Sequence, residues 1–297
     1  MRTPLRLALS VAVILSALPS CALGGDADSP MPEPPAIPVA GVTQAAVVGE
    51  GAAIDVSQAN STGLFLASLP GIPSSRHKLV VSHGGETRAY EMPLDGTEVA
   101  VPANMGDGTY EVSVMRNVHA SEYVPILSTE AEVSLSDDDA PFLSPNLMCR
   151  FSEGSACVRK AREIAASCRG QGEFAGKALE FVMGAVEYDD AKAAAAGATK
   201  DYVPDPDATL ASGRGICFDY ASLLAAMLRS CGIPARIVVG NVLPSGELHA
   251  WVEARVDGTW EGHGVSITPG EWSRIDVTFA DGGTLDRAER YDPHRMY

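Results

Sequence analysis

The chain has 297 residues, of which 46% are hydrophobic, and its formal net charge is −16 at pH 7. The length predicts about two domains, because single domains commonly contain roughly 100–200 residues. The negative charge excludes the basic surface that nucleic-acid-binding proteins need, and it disfavours direct adsorption to anionic lipid head groups.

The first 25 residues have the pattern of a secretory signal peptide. Arg2 and Arg6 precede an apolar run, LALSVAVILSAL, at residues 7–18, which is shorter than the roughly 20 residues of a membrane-spanning helix. The run ends in LPSC, which resembles a bacterial lipobox with Cys21 as the lipidated residue. The alternative is ordinary cleavage nearby, with Cys21 incidental. We therefore expect an extracytoplasmic protein that is either secreted or anchored by lipid to the cell membrane.

Two segments follow the signal. Residues 26–48 are rich in proline and are predicted to be a semi-extended linker. Residues 49–137 contain short runs of alternating polarity, such as TYEVSVMRNV, separated by glycine, proline, asparagine and aspartate. Short strands at this spacing predict a small β-sandwich. Since it carries no cluster of chemically active side chains, we interpret it as a spacing or binding module.

The remainder, residues 138–297, changes to a helical pattern. Apolar stripes predict helices near 152–168, 174–186 and 216–231. After them come four candidate strands, ARIVVGNV, LHAWVEARV, TWEGH and WSRIDVTF. Helices followed by antiparallel strands predict an α+β domain.

Five cysteines remain after the signal, so at least one thiol stays free unless it pairs with another chain. On one continuous helix Cys157 and Cys168 would lie about 16 Å apart along the axis, too far for a disulfide. The sequence leaves open which of Cys149, Cys157, Cys168 and Cys231 form pairs.

Cys217 and Cys231 occupy opposite ends of one predicted helix. Nucleophilic chemistry requires a thiolate, and the N-terminal end of a helix favours an anion. Cys217 lies at that end, after Gly213 and Gly215, which permit a tight turn. Cys231 lies at the other end and is followed by Gly232, a typical helix cap. Cys217 is the candidate nucleophile, and Cys231 is interpreted as a buried thiol or a disulfide partner.

A base and an orienting acid are predicted on two strands. In ELHAWVEARV, His249 shares one face with Trp251, whereas His263, a rival base, lies in a glycine-flanked loop. Asp276 is the acid predicted within a strand after His249, and an isolated carboxylate there would be costly. Arg274, on the same predicted face, is an alternative structural partner for Asp276.

The three motifs GRGICFDYASLLAAMLRSCGIPAR, HAWVEARVDGTW and WSRIDVTF, in that order, resemble the transglutaminase-like domain, a relative of the papain fold. VEYDDAK, at residues 186–192, resembles the segment that precedes the cysteine in bacterial members. The resemblance covers roughly residues 140–285, most specifically 186–279. It implies helices packed on an antiparallel sheet, with a small β-sandwich before them.

The resemblance also implies roles for the three residues. Cys217 corresponds to the nucleophile, His249 to its base and Asp276 to the residue that orients the imidazole. Family members often have Asp-Pro-Thr where this chain has Asp276-Val277-Thr278. No side-chain donor for an oxyanion is evident, so the backbone N–H of Cys217 is the expected donor. No calcium loop, metal site or cofactor is expected.

These features predict a cysteine-dependent acyl-transfer enzyme that acts on peptide or carboxamide bonds through a thioester. Transfer to water would give a peptidase or amidase, and transfer to a lysine-type amine would give a transglutaminase. The expected partner is a protein or peptide substrate. The alternative is a non-catalytic cell-surface module that keeps the fold and binds a peptide or a wall component. The sequence leaves the oligomeric state open.

Overall fold

The computed structural model describes residues 31–38, 41–69, 74–197, 202–280 and 290–297. The signal segment and Cys21 lie outside the described residues. In the N-terminal half the elements are β1 Val47–Gly49, β2 Ala52–Asp55, α1 Ala59–Thr62, β3 Leu64–Ser68, β4 His77–His83, β5 Glu86–Glu91, β6 Val99–Pro102, β7 Gly108–His119 and β8 Glu122–Val133.

These strands form two four-stranded antiparallel sheets, ordered β1-β2-β3-β6 and β5-β4-β7-β8. Strands β1 and β2 pack against β7 and β8 of the other sheet. Alternate side chains of the second sheet are buried between them, as in a β-sandwich; these include Leu79, Val81, Tyr110, Val112 and Val114. This half has the sandwich architecture expected from its alternating runs.

The second half begins with helices and ends with a sheet. Its elements are α2 Ala156–Ala165, α3 Gly170–Ala185, β9 Glu187–Tyr188, α4 Asp190–Gly197, α5 Pro206–Ser212, β10 Arg214–Gly215, α6 Cys217–Ser230, β11 Ala235–Leu243, β12 Glu247–Arg255, β13 Trp260–Gly262, β14 Val265–Ile267, β15 Trp272–Ile275, α7 Val277–Ala280 and β16 Arg290–Met296. Four strands form one antiparallel sheet in the order β15-β12-β11-β16. The predicted α+β class is confirmed.

Helix α6 is the centre of this half. Every residue from Asp219 to Ser230 is buried. The helix packs against α2, α3 and α5 and also against β11 and β12. A helix buried on all sides must be apolar around its whole circumference, which explains the continuous run ASLLAAML. The helix is therefore a rigid support for the residue at its first position, Cys217.

Arg229 joins three parts of the domain near the end of α6. Its buried guanidinium donates to the backbone oxygens of Ala235 at 2.7 Å, Ser144 at 2.8 Å and Tyr297 at 2.7 Å. Burial lowers the pKa of Arg229. These three hydrogen bonds replace the hydration that the guanidinium loses on burial, because a buried cation without partners is strongly unfavourable.

The two halves are joined by direct contacts. The Leu147 backbone N–H donates to the Ala100 carbonyl in β6 at 2.8 Å. The Asn104 side chain of the sandwich donates to the Met296 carbonyl in β16 at 2.9 Å. Part of the predicted linker also contacts the fold, since Ile37 is buried and its N–H donates to Glu153 Oε1 at 3.0 Å.

One predicted strand is shorter than expected. WSRIDVTF was expected to be extended throughout, but β15 ends at Ile275 and residues Val277–Ala280 form α7. Asp276 therefore lies between a strand and a helix. Its Oδ1 accepts the Phe279 N–H at 3.3 Å, and its carbonyl accepts the Ala280 N–H at 3.0 Å. Bonds of this kind compete with strand pairing and favour a turn into a helix.

Candidate active site

Cys217 is the first residue of α6, as the sequence predicts. The preceding β10 pairs in parallel with β9, and Gly215 pairs with Tyr188. A Cβ at position 215 would lie 2.7 Å from the Cβ of Asp219, so only glycine fits there. The Cys217 thiol is half-buried and lies at the positive end of the helix, where an anion is favoured.

The first turn of α6 is held by the carboxylate of Asp219, which is fully buried. Asp219 Oδ2 accepts the Ile216 N–H at 2.9 Å and pairs with Lys192 Nζ at 2.7 Å. Asp219 Oδ1 accepts the Tyr202 hydroxyl at 2.5 Å. Isoleucine offers no side-chain acceptor for the helix, so Asp219 supplies the capping bond alone. This network fixes the position of the Cys217 backbone at the start of α6.

His249 and Asp276 are brought together by the pairing of β12 with β15. Val252 pairs with Ile275, and His249 Nε2 lies 2.8 Å from Asp276 Oδ2. The side chains are 7% and 1% exposed, so water competes little for this bond. The Phe279 ring stacks on the imidazole, with centroids 4.4 Å apart and planes inclined by 12°. The ring is thereby held in one plane.

The Cys217 side chain lies close enough to the imidazole to affect its protonation. Since Nε2 is engaged by Asp276, the nitrogen available to Cys217 is Nδ1. Burial, the largest influence, lowers the pKa of His249. The hydrogen bonds and charges of Asp276 and Cys217 together outweigh it and raise this pKa from 6.5 to about 9. The imidazole is therefore protonated at neutral pH and lies between two groups that can carry negative charge.

Asp276 has a partner that the sequence did not reveal. The Tyr291 hydroxyl in β16 donates to Asp276 Oδ2 at 2.9 Å. Arg274, the alternative partner considered from the sequence, instead lies over the Tyr291 ring at 3.8 Å from its centroid. The side chain of Asp276 therefore bonds a histidine, a tyrosine and a backbone N–H rather than an arginine.

A second tyrosine lies beside Cys217. The phenol oxygen of Tyr188 lies near the backbone N–H of Cys217. Burial, followed by the negative charges of Cys217 and Asp190, raises the pKa of Tyr188 to about 12, so the phenol keeps its proton at neutral pH. Tyr188 is 42% exposed. The sequence contained one signal for it, the motif VEYDDAK before the cysteine, but no residue pattern assigned the hydroxyl a role.

The remaining thiols lie in a different environment. The pKa values of Cys149, Cys157, Cys168 and Cys231 are all raised, mainly by burial, and that of Cys231 reaches about 11. Helix α2 ends at Ala165, before Cys168, so it is shorter than the helix predicted near residues 152–168 and does not carry both Cys157 and Cys168. All five cysteines of the described ranges are free.

Other predicted candidates lie outside the site. His263, the rival base, lies in the β13–β14 turn, 3.5 Å from Glu180. Among the residues that the structure describes, no group of three or more histidine, cysteine or carboxylate side chains is arranged to hold a metal ion. In the same residues no helix is long and apolar enough to cross a membrane.

Comparison with known proteins gives a family match for part of this chain. Residues 158–276 match the sequence profile of the Transglutaminase-like superfamily. These residues form a transglutaminase-like domain. All three predicted residues lie within the matched segment, whereas Tyr291 lies beyond it.

Individual relatives are distant from this chain. A protein of Mycobacterium leprae (strain TN), described as uncharacterized protein ML0607, is 36% identical over 77 residues, or 20% of this chain and 28% of that protein. The chain therefore matches less than a third of this relative's length.

Solved structures show weak likenesses that extend beyond the transglutaminase-like domain. A candidate cysteine protease from Cytophaga hutchinsonii has a TM-score of 0.36 and 17% identity, covering 85% of this chain and 80% of its own. Red sea bream transglutaminase has a TM-score of 0.31 and 15% identity, and the match covers 77% of this chain and 50% of that protein. Legionella pneumophila LapG has a TM-score of 0.27 and 19% identity, and the match covers 47% of this chain and 83% of that protein. At these TM-scores the likenesses carry no functional argument.

The electrostatic origin of the raised His249 pKa gives a testable prediction. Replacing Asp276 with Asn removes the carboxylate charge, so burial is no longer opposed by it. We expect the NMR titration midpoint of His249 to fall from about 9 to 6.5 or below. Asp257→Asn, in an exposed turn, is the matched control and should leave the midpoint unchanged. A midpoint that stays near 9 in Asp276→Asn would contradict this assignment.

Proposed function

We propose that the protein is a cysteine-dependent acyl-transfer enzyme that acts on peptide or carboxamide bonds. The observation that supports this most is the hydrogen bond of 2.8 Å between His249 Nε2 and Asp276 Oδ2, beside the Cys217 thiol at the start of a buried helix. A nucleophile, a base within hydrogen-bonding reach and an acid that orients the base are the parts that acyl transfer requires.

In the first step the Cys217 thiolate attacks the carbonyl carbon of the substrate. The carbonyl oxygen becomes an oxyanion and accepts hydrogen bonds from the Cys217 N–H and the Tyr188 hydroxyl. The protonated His249 then gives its Nδ1 proton to the departing amine as the carbon–nitrogen bond breaks. The products of this step are a thioester on Cys217, a free amine and a neutral imidazole.

In the second step the neutral imidazole removes a proton from water or from an attacking amine. The new bond to the carbonyl carbon forms through a second oxyanion, and the carbon–sulfur bond then breaks to release the thiolate. Asp276 keeps Nε2 protonated throughout, so Nδ1 is the nitrogen that exchanges protons. Water as acceptor gives hydrolysis, and a lysine-type amine gives a cross-link.

Thiol labelling tests the role of Cys217. We expect iodoacetamide at near-neutral pH to modify the native protein rapidly on Cys217, because its thiol is partly exposed beside a basic side chain, whereas the other described thiols are buried. Intact-mass spectrometry should show this adduct lost in Cys217→Ala, slowed in His249→Ala and unchanged in the matched variant Cys231→Ala. A peptide library incubated with and without a primary amine then separates hydrolysis from cross-linking. Equal labelling of all variants would sink the enzyme proposal in favour of a binding module.

The oxyanion role of Tyr188 makes a separate prediction. Tyr188→Phe should slow hydrolysis of p-nitrophenyl acetate by about 100-fold, the usual effect of losing one oxyanion donor. It should leave iodoacetamide alkylation of Cys217 within a factor of about 2, because alkylation forms no oxyanion. Tyr110→Phe, which removes a hydroxyl inside the sandwich, is the control. Equal losses in both reactions would assign Tyr188 to the thiol rather than to the oxyanion.

We also propose that the enzyme acts outside the cytoplasm and is anchored by lipid at Cys21. The signal-like segment and the LPSC ending support this location. In a bacterial host, the full chain should partition into the detergent phase of Triton X-114, and Cys21→Ser should move it to the aqueous phase. Cys231→Ser is the control. Identical partitioning of the native protein and Cys21→Ser would reject the lipid anchor.

A further inference from the structure

Strand β16 lies beyond the segment that matches the superfamily profile, yet it completes the sheet of the active site. It pairs antiparallel with β11, with Tyr291 opposite Val242 and Met296 opposite Val238. The approach is close, since a Cβ at Gly240 would overlap the Asp292 carbonyl oxygen. Glycine at this position therefore lets β16 approach β11 near the site.

Tyr291 is held tightly within this strand. The Trp251 ring contacts the Tyr291 ring edge-on, with centroids 4.8 Å apart and planes inclined by 74°. The Arg274 guanidinium lies over the same ring at 3.8 Å from its centroid. Trp251 is two residues from His249, and Arg274 is two residues from Asp276, so the elements that carry the base and the acid also hold the tyrosine.

The Tyr291 hydroxyl and His249 Nε2 share one carboxylate oxygen, at 2.9 and 2.8 Å from Asp276 Oδ2. The other oxygen, Oδ1, accepts the Phe279 N–H. A hydrogen bond from a hydroxyl to a carboxylate is charge-assisted and fixes the rotation of the carboxylate. Burial, with the charge of Asp276, raises the pKa of Tyr291 far above its usual range, so the hydroxyl stays a donor.

The far end of β16 is held by the sandwich. Asn104 Nδ2 donates to the Met296 carbonyl at 2.9 Å, and Asn104 Oδ1 accepts from Arg88 Nη1 at 2.5 Å. The Tyr90 ring contacts the Tyr297 ring, with centroids 6.1 Å apart. The N-terminal domain thus holds the strand that brings Tyr291 to Asp276.

We propose that Tyr291 is a positioning residue, which aligns the Asp276 carboxylate and through it the His249 imidazole, and that the sandwich holds β16 for this purpose. The proposal rests on the acyl-transfer function proposed above. It gives the sandwich a role beyond spacing, because the sandwich supports one end of the strand that carries Tyr291.

Tyr291→Phe tests the hydrogen bond while keeping the ring. We expect alkylation of Cys217 by iodoacetamide and hydrolysis of p-nitrophenyl acetate to slow together, by about 10-fold, since a hydrogen bond to a charged group contributes roughly that factor. The His249 titration midpoint should rise, because without the Tyr291 hydroxyl the Asp276 carboxylate has one hydrogen-bond donor fewer and its charge acts more strongly on the imidazole. Tyr110→Phe is the matched control and should change neither the rates nor the midpoint.

The outcomes separate this proposal from the proposed function. If Cys217 reacts no faster in the native protein than in His249→Ala, the enzyme proposal fails. If Cys217 is reactive but Tyr291→Phe matches the native rates and midpoint, the positioning role is overturned and the function stands. A slower Tyr291→Phe with an unchanged midpoint and a lowered melting temperature also overturns it, because that pattern reflects stability alone.

A second variant leaves the triad untouched. Asn104→Ala removes the hydrogen bond from the sandwich to the Met296 carbonyl. We expect the rates of Cys217 alkylation and of p-nitrophenyl acetate hydrolysis to fall together. The titration midpoint of His249 should shift in the same direction as in Tyr291→Phe, but by less. Asn60→Ala, which removes bonds to Glu132 and Ser134 within the sandwich, is the matched control. Native behaviour of Asn104→Ala would overturn the proposed support of β16 by the sandwich.

Discussion

The site depends on one buried carboxylate, that of Asp219 in the first turn of α6. Between its ends this helix is almost wholly apolar, and apolar packing alone tolerates small rotations and shifts. Asp219 removes that freedom at the N-terminus, because its bonds to the Ile216 N–H, Lys192 and Tyr202 have one geometry. A carboxylate buried without them would cost several kcal/mol. The position of Cys217 is therefore determined by an ionic contact rather than by the surrounding hydrophobic core.

The opposite end of α6 is constrained in the same way by a charge of opposite sign. Arg229 binds backbone oxygens of three separate segments, including Ala235 at the start of β11 and Tyr297 after β16. Because β11 pairs with β12, which carries His249, the helix and the sheet are held in one register. Cys217 and His249 thus lie on different elements, and the two polar ends of one buried helix maintain their separation.

The sequence predicted the parts of the site that depend on local pattern. The glycines before Cys217 and the alternation around His249 placed these residues on a helix start and a strand, and the structure brings them together. The end of β15 was not predictable, because the bonds from Asp276 to Phe279 and Ala280 compete locally with strand pairing. Tyr291 and Tyr188 were missed since their contacts join segments separated by 15 and 29 residues, and a lone tyrosine carries no periodic signal.

The protonation of the imidazole would change between the two steps of the proposed reaction. Its pKa of about 9 lies above the ordinary value of an α-amino group, about 8, so proton transfer from His249 to the amine of a cleaved peptide would cost little free energy. In the thioester Cys217 carries no charge, so the pKa of His249 would be lower and the neutral imidazole could take a proton from water or from an attacking amine. In the enzyme proposed above, Cys217, His249 and Asp276 would therefore serve hydrolysis and cross-linking alike. The choice between them would depend on the surface that admits water or an amine to the thioester, next to the partly exposed ring of Tyr188.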